Sequence, residues 1–149
     1  MTNFWLAITF LGNWRMVLIL NIIIGIFFVI YRKWRNLKLM IISSLSNLLL
    51  IEPLKLLVAE PRPMSALILE KSFSFPSGHA YTAVAFYGLL TYLLFKYFKN
   101  ITIVYFGITF ILLIAYSRLY LGVHYWWDVA AGLILGTLWL RSLLRYVRV

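Results

Sequence analysis

Apolar residues fall along this chain in long blocks, broken by short clusters of charge, proline and glycine. The blocks lack period-2 alternation, which argues for helices over strands. A helix that crosses a bilayer needs about 20 mostly apolar residues. Five blocks come close to that length: Trp14–Tyr31, Leu39–Val58, Ala80–Tyr97, Ile101–Ser117 and Tyr125–Leu140. The leading stretch, residues 1–13, is apolar but short, and Phe4, Trp5, Ile8 and Leu11 share one helical face. That pattern predicts a helix lying in the membrane interface, the plain alternative being a frayed lead-in to the first span.

Composition agrees. Of the 149 residues, 64% are hydrophobic and 12% charged, against roughly 45–50% apolar in soluble domains. Mean hydropathy is +0.93. In a bilayer every backbone polar group must be satisfied internally, so the chain is a helix bundle or a closed barrel, and the periodicity selects the bundle. The expected fold class is all-α: a polytopic transmembrane bundle of about five spanning helices plus a short N-terminal interfacial helix, forming one domain over residues 1–149. No cysteine is present, which removes disulfides and thiolate metal sites. The first fourteen residues carry no Lys or Arg and no small-residue cleavage site follows, so they do not read as a removable signal.

A net charge of +10 would suggest nucleic acid in a soluble protein. The placement of the charges removes that reading. Arg32, Lys33, Arg35 and Lys38 lie between spans one and two; Lys96 and Lys99 lie between three and four; Arg141, Arg145 and Arg148 follow five. With alternating spans these segments share one side, and the positive-inside rule makes it cytoplasmic. The expected protein is therefore a multi-pass cell-membrane protein with a cytoplasmic C-terminus and no nucleic-acid partner.

Five basic residues remain: Arg15, Lys55, Arg62, Lys71 and Arg118. Arg15 can snorkel at the end of span one. The others crowd into the outer segments 59–79 and 117–124 or their borders, together with His79, His124 and Asp128. In a chain so poor in charge, ionisable groups gathered at one membrane face mark a functional site. Three motifs organise them. Lys55 is followed after six residues by Arg62-Pro63; then comes Pro76-Ser77-Gly78-His79; then Ser117-Arg118, with His124 and Asp128 beyond. In this order and spacing the chain resembles the type 2 phosphatidic acid phosphatase superfamily.

The residues suit that chemistry. Lys55, Arg62 and Arg118 supply three cations for a phosphate ester, the arginines as bidentate forks and the lysine as a point charge. Gly78 lets backbone approach a ligand, and Ser77 can cap the following helix or donate to a phosphate oxygen. His124 and Asp128 are four residues apart and share a helix face, so the carboxylate can hold one ring nitrogen while the other attacks phosphorus. His79 suits a general acid. The resemblance implies the same roles: His124 as nucleophile through a phosphohistidine, Asp128 as its partner, His79 as acid, and Lys55, Arg62, Ser77, Gly78 and Arg118 binding phosphate. It also implies no metal ion or other cofactor, and one Asp with three Glu offers no evident carboxylate cage.

The expected activity is removal of phosphate from a membrane lipid at the extracytoplasmic face. Undecaprenyl pyrophosphate, phosphatidylglycerophosphate and phosphatidic acid are the leading substrates. A lipid phosphotransferase using the same site and a non-enzymatic anion or lipid transporter are the rivals. Members of the family usually have six spans; with five, a second copy would cover the exposed face, so a homo-oligomer is an expectation too. Elsewhere simpler readings suffice. Glu52 is expected to pair with Lys55, and Glu60 with Arg62, Lys71 or solvent. Ser43, Ser44, Ser46 and Asn47 read as interhelical hydrogen bonds, Gly132 and Gly136 as close helix packing, and Trp126 and Trp127 as an interfacial belt.

Overall fold

The computed structural model describes residues 2–146; Arg148, one of the predicted tail cations, lies outside them. Among the described residues the fold is all-α, with six helices: α1 (Thr2–Leu11), α2 (Trp14–Ile30), α3 (Trp34–Val58), α4 (residues 78–98), α5 (Ile101–Tyr120) and α6 (Trp126–Tyr146). Three of them, α3, α5 and α6, are long and apolar enough to cross a membrane. A fourth crossing results if α1 and α2, bent by 51° at Gly12-Asn13, count as one broken span. The count by length and composition is thus three to four, not the five expected. By itself α2 is 17 residues long, slightly short. In α4 the apolarity is diluted by Tyr, Thr, Gly and Ala, because residues 80–87 are all buried by neighbouring helices rather than by lipid.

The predicted N-terminal helix is present and packs against the bundle. α1 packs along α5, with Trp5 edge-on to Tyr116 at 5.1 Å and Ile8 and Leu11 against the core. A frayed lead-in is excluded. By contrast α2 turns Ile19, Ile22, Ile23, Ile26 and Ile30 outward, as a lipid-facing helix must. The remaining helices begin or end beyond the expected limits. α3 starts at Trp34, so Arg35 and Lys38 sit on its first turns, and Arg141 and Arg145 lie on α6 itself rather than in a tail.

The core centres on α4, where Phe86 and Leu89 meet Met40 of α3 and Ile114 of α5. Two glycines set its contact with α6. A Cβ on Gly132 would stand 2.5 Å from the Ser77 carbonyl, and one on Gly136 2.9 Å from Val84 Cβ. The polar seam of α3 is satisfied between helices, as expected. Ser43 Oγ donates to the Ala85 carbonyl, Tyr81 hydroxyl to Ser46 Oγ, and Asn47 Nδ2 to Thr82 Oγ1 and the Gly78 carbonyl; Asn21 of α2 reaches Ser44.

Both α3 and α4 contain a π turn, at Asn47–Ile51 and Ala83–Gly88. Each has a local cause. Pro53 has no N–H for the carbonyl four residues back, so the ladder widens just before it. In α4 the Ser43 hydroxyl occupies the Ala85 carbonyl from outside the helix, an insertion of the kind that opens a turn.

Candidate active site

Four helix ends meet at one end of the bundle: the C-termini of α3 and α5 and the N-termini of α4 and α6. The loop 59–77 folds over them. It leaves α3 through a left-handed Ala59, whose N–H caps the Lys55 carbonyl. It is pinned to the α5–α6 turn by Leu67 N–H to Leu121 O (2.9 Å) and to its own start by Ser74 N–H to Glu60 O (2.8 Å). Gly122 allows this approach: its φ is +64° and a Cβ there would lie 2.7 Å from the Ser65 carbonyl.

His124 sits in the short α5–α6 turn and Asp128 on the first turn of α6, both buried. His124 Nδ1 lies 3.2 Å from Asp128 Oδ2. The same oxygen accepts from the Tyr125 N–H at 2.9 Å and from the Ser74 hydroxyl. Arg62 Nη1 approaches His124 Nε2 at 3.2 Å. A guanidinium can only donate, so Nε2 carries the lone pair and Nδ1 the proton. Burial pushes the His124 imidazole down to about 4; the Asp128 hydrogen bond opposes the shift and the charges of Arg118 and Arg62 add to it. The ring is therefore neutral, its lone-pair nitrogen facing a cation.

The three cations are held by loop oxygens or acids. Arg62 Nε donates to the Ser72 carbonyl (2.7 Å) and its Nη1 to the Val123 carbonyl (2.7 Å). Lys55 Nζ reaches the Phe73 carbonyl at 2.9 Å and Ser72 Oγ at 3.2 Å. Its predicted partner Glu52 is not used: the buried ammonium turns into the loop oxygens, and no ion pair forms between the two. Arg118, 1% exposed, donates through Nη1 to Thr9 of α1 (2.6 Å) and through Nη2 to Glu70 (2.5 Å). Burial alone would raise the Glu70 carboxyl; the Arg118 hydrogen bond and the charges of Arg118 and Arg62 outweigh it and hold the group below its ordinary value. Arg118 Nε and Asp128 Oδ1 are buried without a partner among the described residues.

Ser77 is fully buried and caps α4, its Oγ accepting from Ala80 N–H at 3.4 Å, while its own N–H donates to the Asp128 carbonyl at 3.0 Å. Gly78 is not forced to be glycine by the protein, since a Cβ would make ordinary 3.5 Å contact with Asn47. His79 lies on the first turn of α4, beside Gly12, within electrostatic reach of Arg118, His124, Lys55 and Arg62. The eight predicted site residues, Lys55, Arg62, Ser77, Gly78, His79, Arg118, His124 and Asp128, thus all lie at this end of the bundle. Glu60 pairs with neither Arg62 nor Lys71; its carboxylate accepts from the Trp127 indole at 3.0 Å. Trp127 in turn stacks on Tyr125. Four contributors went unread in the sequence: Thr9, Glu70, Ser72 and Ser74. Glu70 carried one signal, as one of only four carboxylates in the chain; the hydroxyl residues carried none.

Comparison with known proteins places this geometry. The chain is similar to phosphatidylglycerophosphatase B of Bacillus subtilis (strain 168), with 37% identity over 140 residues, covering 89% of this chain and 68% of that protein. Its fold is similar to the crystal structure of a transmembrane PAP2-type phosphatidylglycerolphosphate phosphatase from Bacillus subtilis, with a TM-score of 0.89 and 32% identity over 99% of this chain and 76% of that one. The crystal structure of LpxE from Aquifex aeolicus is also similar, with a TM-score of 0.80 and 26% identity over 97% of this chain and 86% of that one. Residues 35–149 match the PAP2 superfamily. This chain therefore belongs to the PAP2 superfamily of membrane lipid phosphatases.

Proposed function

We propose that the chain hydrolyses the terminal phosphate monoester of phosphatidylglycerophosphate, without a metal ion, through a phosphohistidine on His124. The observation that carries the mechanism is the relay from Asp128 Oδ2 through the His124 ring to a lone-pair Nε2 that faces Arg62. A phosphate gripped by Arg62 lies against that nitrogen. Nε2 attacks phosphorus, the bond from phosphorus to the lipid oxygen breaks, and His79 gives its proton to the leaving alkoxide. A bound phosphate anion favours the imidazolium form of His79 that this step needs. Water then attacks the phosphohistidine, His79 takes the water's proton, and inorganic phosphate leaves. Asp128 stabilises the charge that His124 gains.

Lys55, Arg62 and Arg118 meet the charge on the phosphoryl oxygens, with Ser77 and Gly78 at the start of α4. Arg118 keeps an N–H, at Nε, uncommitted to protein. Among the described residues no three His, Asp or Glu converge to hold a metal, and the cations do that work instead. The choice of lipid follows the Bacillus subtilis relatives. Undecaprenyl pyrophosphate, a diphosphate, and phosphatidic acid, a monoester, also end in a terminal phosphoryl group and are the substrates to compare. The site faces the extracytoplasmic side: Arg32, Lys33, Lys96, Lys99, Arg141 and Arg145 all lie toward the other end of the helices, which the positive-inside rule makes cytoplasmic.

The test is phosphate release by the purified chain in detergent with chelator present, from the three lipids in parallel. The expected result is chelator-resistant release, fastest from phosphatidylglycerophosphate, lost on the order of 10³-fold or more in His124→Ala. Full turnover by that variant would sink the mechanism; a different ranking would overturn the substrate alone.

A further inference from the structure

We infer that the bundle carries a second lipid site, for an anionic phospholipid of the leaflet opposite the phosphate site. At the far end of α4, a cavity of about 370 Å³ opens between α3, α4 and α6. Arg35, Asn36, Lys96 and Lys99 line its polar part. The rise of a helix puts Lys99 roughly 30 Å along α4 from His79, about one hydrocarbon thickness. The headgroup zone of one leaflet therefore holds the phosphate site, and that of the other holds this cavity.

Three features point to a lipid rather than to topology charges alone. The positive-inside rule asks for cations near a membrane face; it does not ask for a cavity lined by them. Among the described residues no acidic side chain lines this one; Glu52, Glu60, Glu70 and Asp128 belong to the other end. Moreover, α3 starts beside the cavity with no side-chain cap at Lys33, so its first N–H groups add positive potential at the same place.

The third feature commits the occupant to a lipid and not a free anion. Tyr92, Phe95 and Leu144 form a wall shared with a second, almost wholly apolar groove of about 520 Å³. That groove runs along α4 between α5 and α6, past Gly88 and Thr91 to Val84 and Leu133. Ile108 and Leu112, on its α5 side, are half exposed, so it opens to the bilayer. A cationic pocket joined to an apolar groove matches a molecule with an anionic head and an acyl tail, and basic pockets between helices take such head groups. The occupant is a structural or regulatory lipid rather than the substrate, because no histidine lines either cavity.

The experiment uses the full chain in detergent with phosphatidylglycerol or phosphatidylcholine carrying a photoreactive group on the acyl chain. Cross-linked peptides are mapped by mass spectrometry. Labels at the phosphate site fall on peptides around residues 55–79 and 118–128 and are counted apart. The expected result is several-fold stronger labelling of segments 84–95 and 133–144 by phosphatidylglycerol than by phosphatidylcholine. Lys96→Gln combined with Lys99→Gln removes that preference while hydrolysis of a short-chain substrate stays at the parent rate. Ile108→Trp, which fills the groove and leaves the cations alone, lowers labelling by both lipids. Equal labelling of the parent by the two lipids, or a preference that survives loss of both lysines, overturns the proposal. So does thermal stabilisation by inorganic phosphate, dependent on both lysines, with no lipid preference: that result assigns the pocket to a free anion.

Discussion

Glu70 Oε1 stands 2.5 Å from Arg118 Nη2, joining the middle of loop 59–77 to the buried end of α5. The pair fixes one fork of the guanidinium and Thr9 fixes the other, while Nε has no partner among the described residues. A charge-assisted hydrogen bond of this kind is worth about 1.5–3 kcal/mol. Glu70→Gln should lower stability by about that amount and raise KM for the lipid roughly tenfold, as Arg118 loses its orientation. Scanning fluorimetry in detergent and steady-state kinetics check the two effects. An unchanged melting temperature with unchanged KM would show that the pair contributes neither.

The low value of His124 has a sign that can be tested. Its imidazole is held down to about 4 by burial, so it is neutral above that pH and protonated below it. The acid limb of kcat/KM should have its midpoint near 4, not near the ordinary 6.5. Asp128 pulls the value up, so Asp128→Asn should shift the limb further toward acid while slowing turnover by on the order of 10²–10⁴-fold, as loss of a ring-orienting carboxylate does elsewhere. A limb that stays put in that variant belongs to another group. Stability should move as well. Between about 4 and 6.5 the unfolded chain binds the proton that His124 refuses in the fold, so stability should rise with pH across that window.

Helix contact and chemistry meet at Gly132. A Cβ there would press on the Ser77 carbonyl at 2.5 Å, and the Ser77 N–H holds the Asp128 carbonyl. Gly132→Ala should destabilise the bundle by about 1–3 kcal/mol and reduce activity with it. Gly136→Ala meets Val84 and Tyr81, a turn farther from the site, so it should cost stability with a smaller loss of turnover. Comparing melting temperature and kcat for the two variants separates the cases. Full activity in Gly132→Ala would mean that α6 can shift without moving Asp128.

What could be read in the sequence was what physical period and charge scarcity control. Apolar runs located the helices, and in so apolar a chain Lys55, Arg62, His79, Arg118, His124 and Asp128 could not be scattered at random. Loop 59–77 has no period, so nothing foretold that Ser72, Ser74 and Glu70 would fold back over the helix ends. Lys55 shows the limit of spacing rules: Glu52 is one turn away, yet the ammonium follows buried loop oxygens. Length and hydropathy alone find only three to four of the five expected spans, for a related reason. Hydropathy measures what lipid demands of a helix, and α4 answers mainly to its neighbours.

The π turn at Asn47–Ile51 gives α3 one residue more than a regular helix of the same rise would hold. Each residue of an α-helix advances the side chain by roughly 100° around the axis. The extra residue thus re-indexes the two halves of α3 against each other. The half below it directs Ser43 and Ser46 at α4, and the half above directs Lys55 at loop 59–77. The turn acts as a phase adjuster, letting a single rod serve a packing seam and the buried polar site that a uniform pitch would put on different sides.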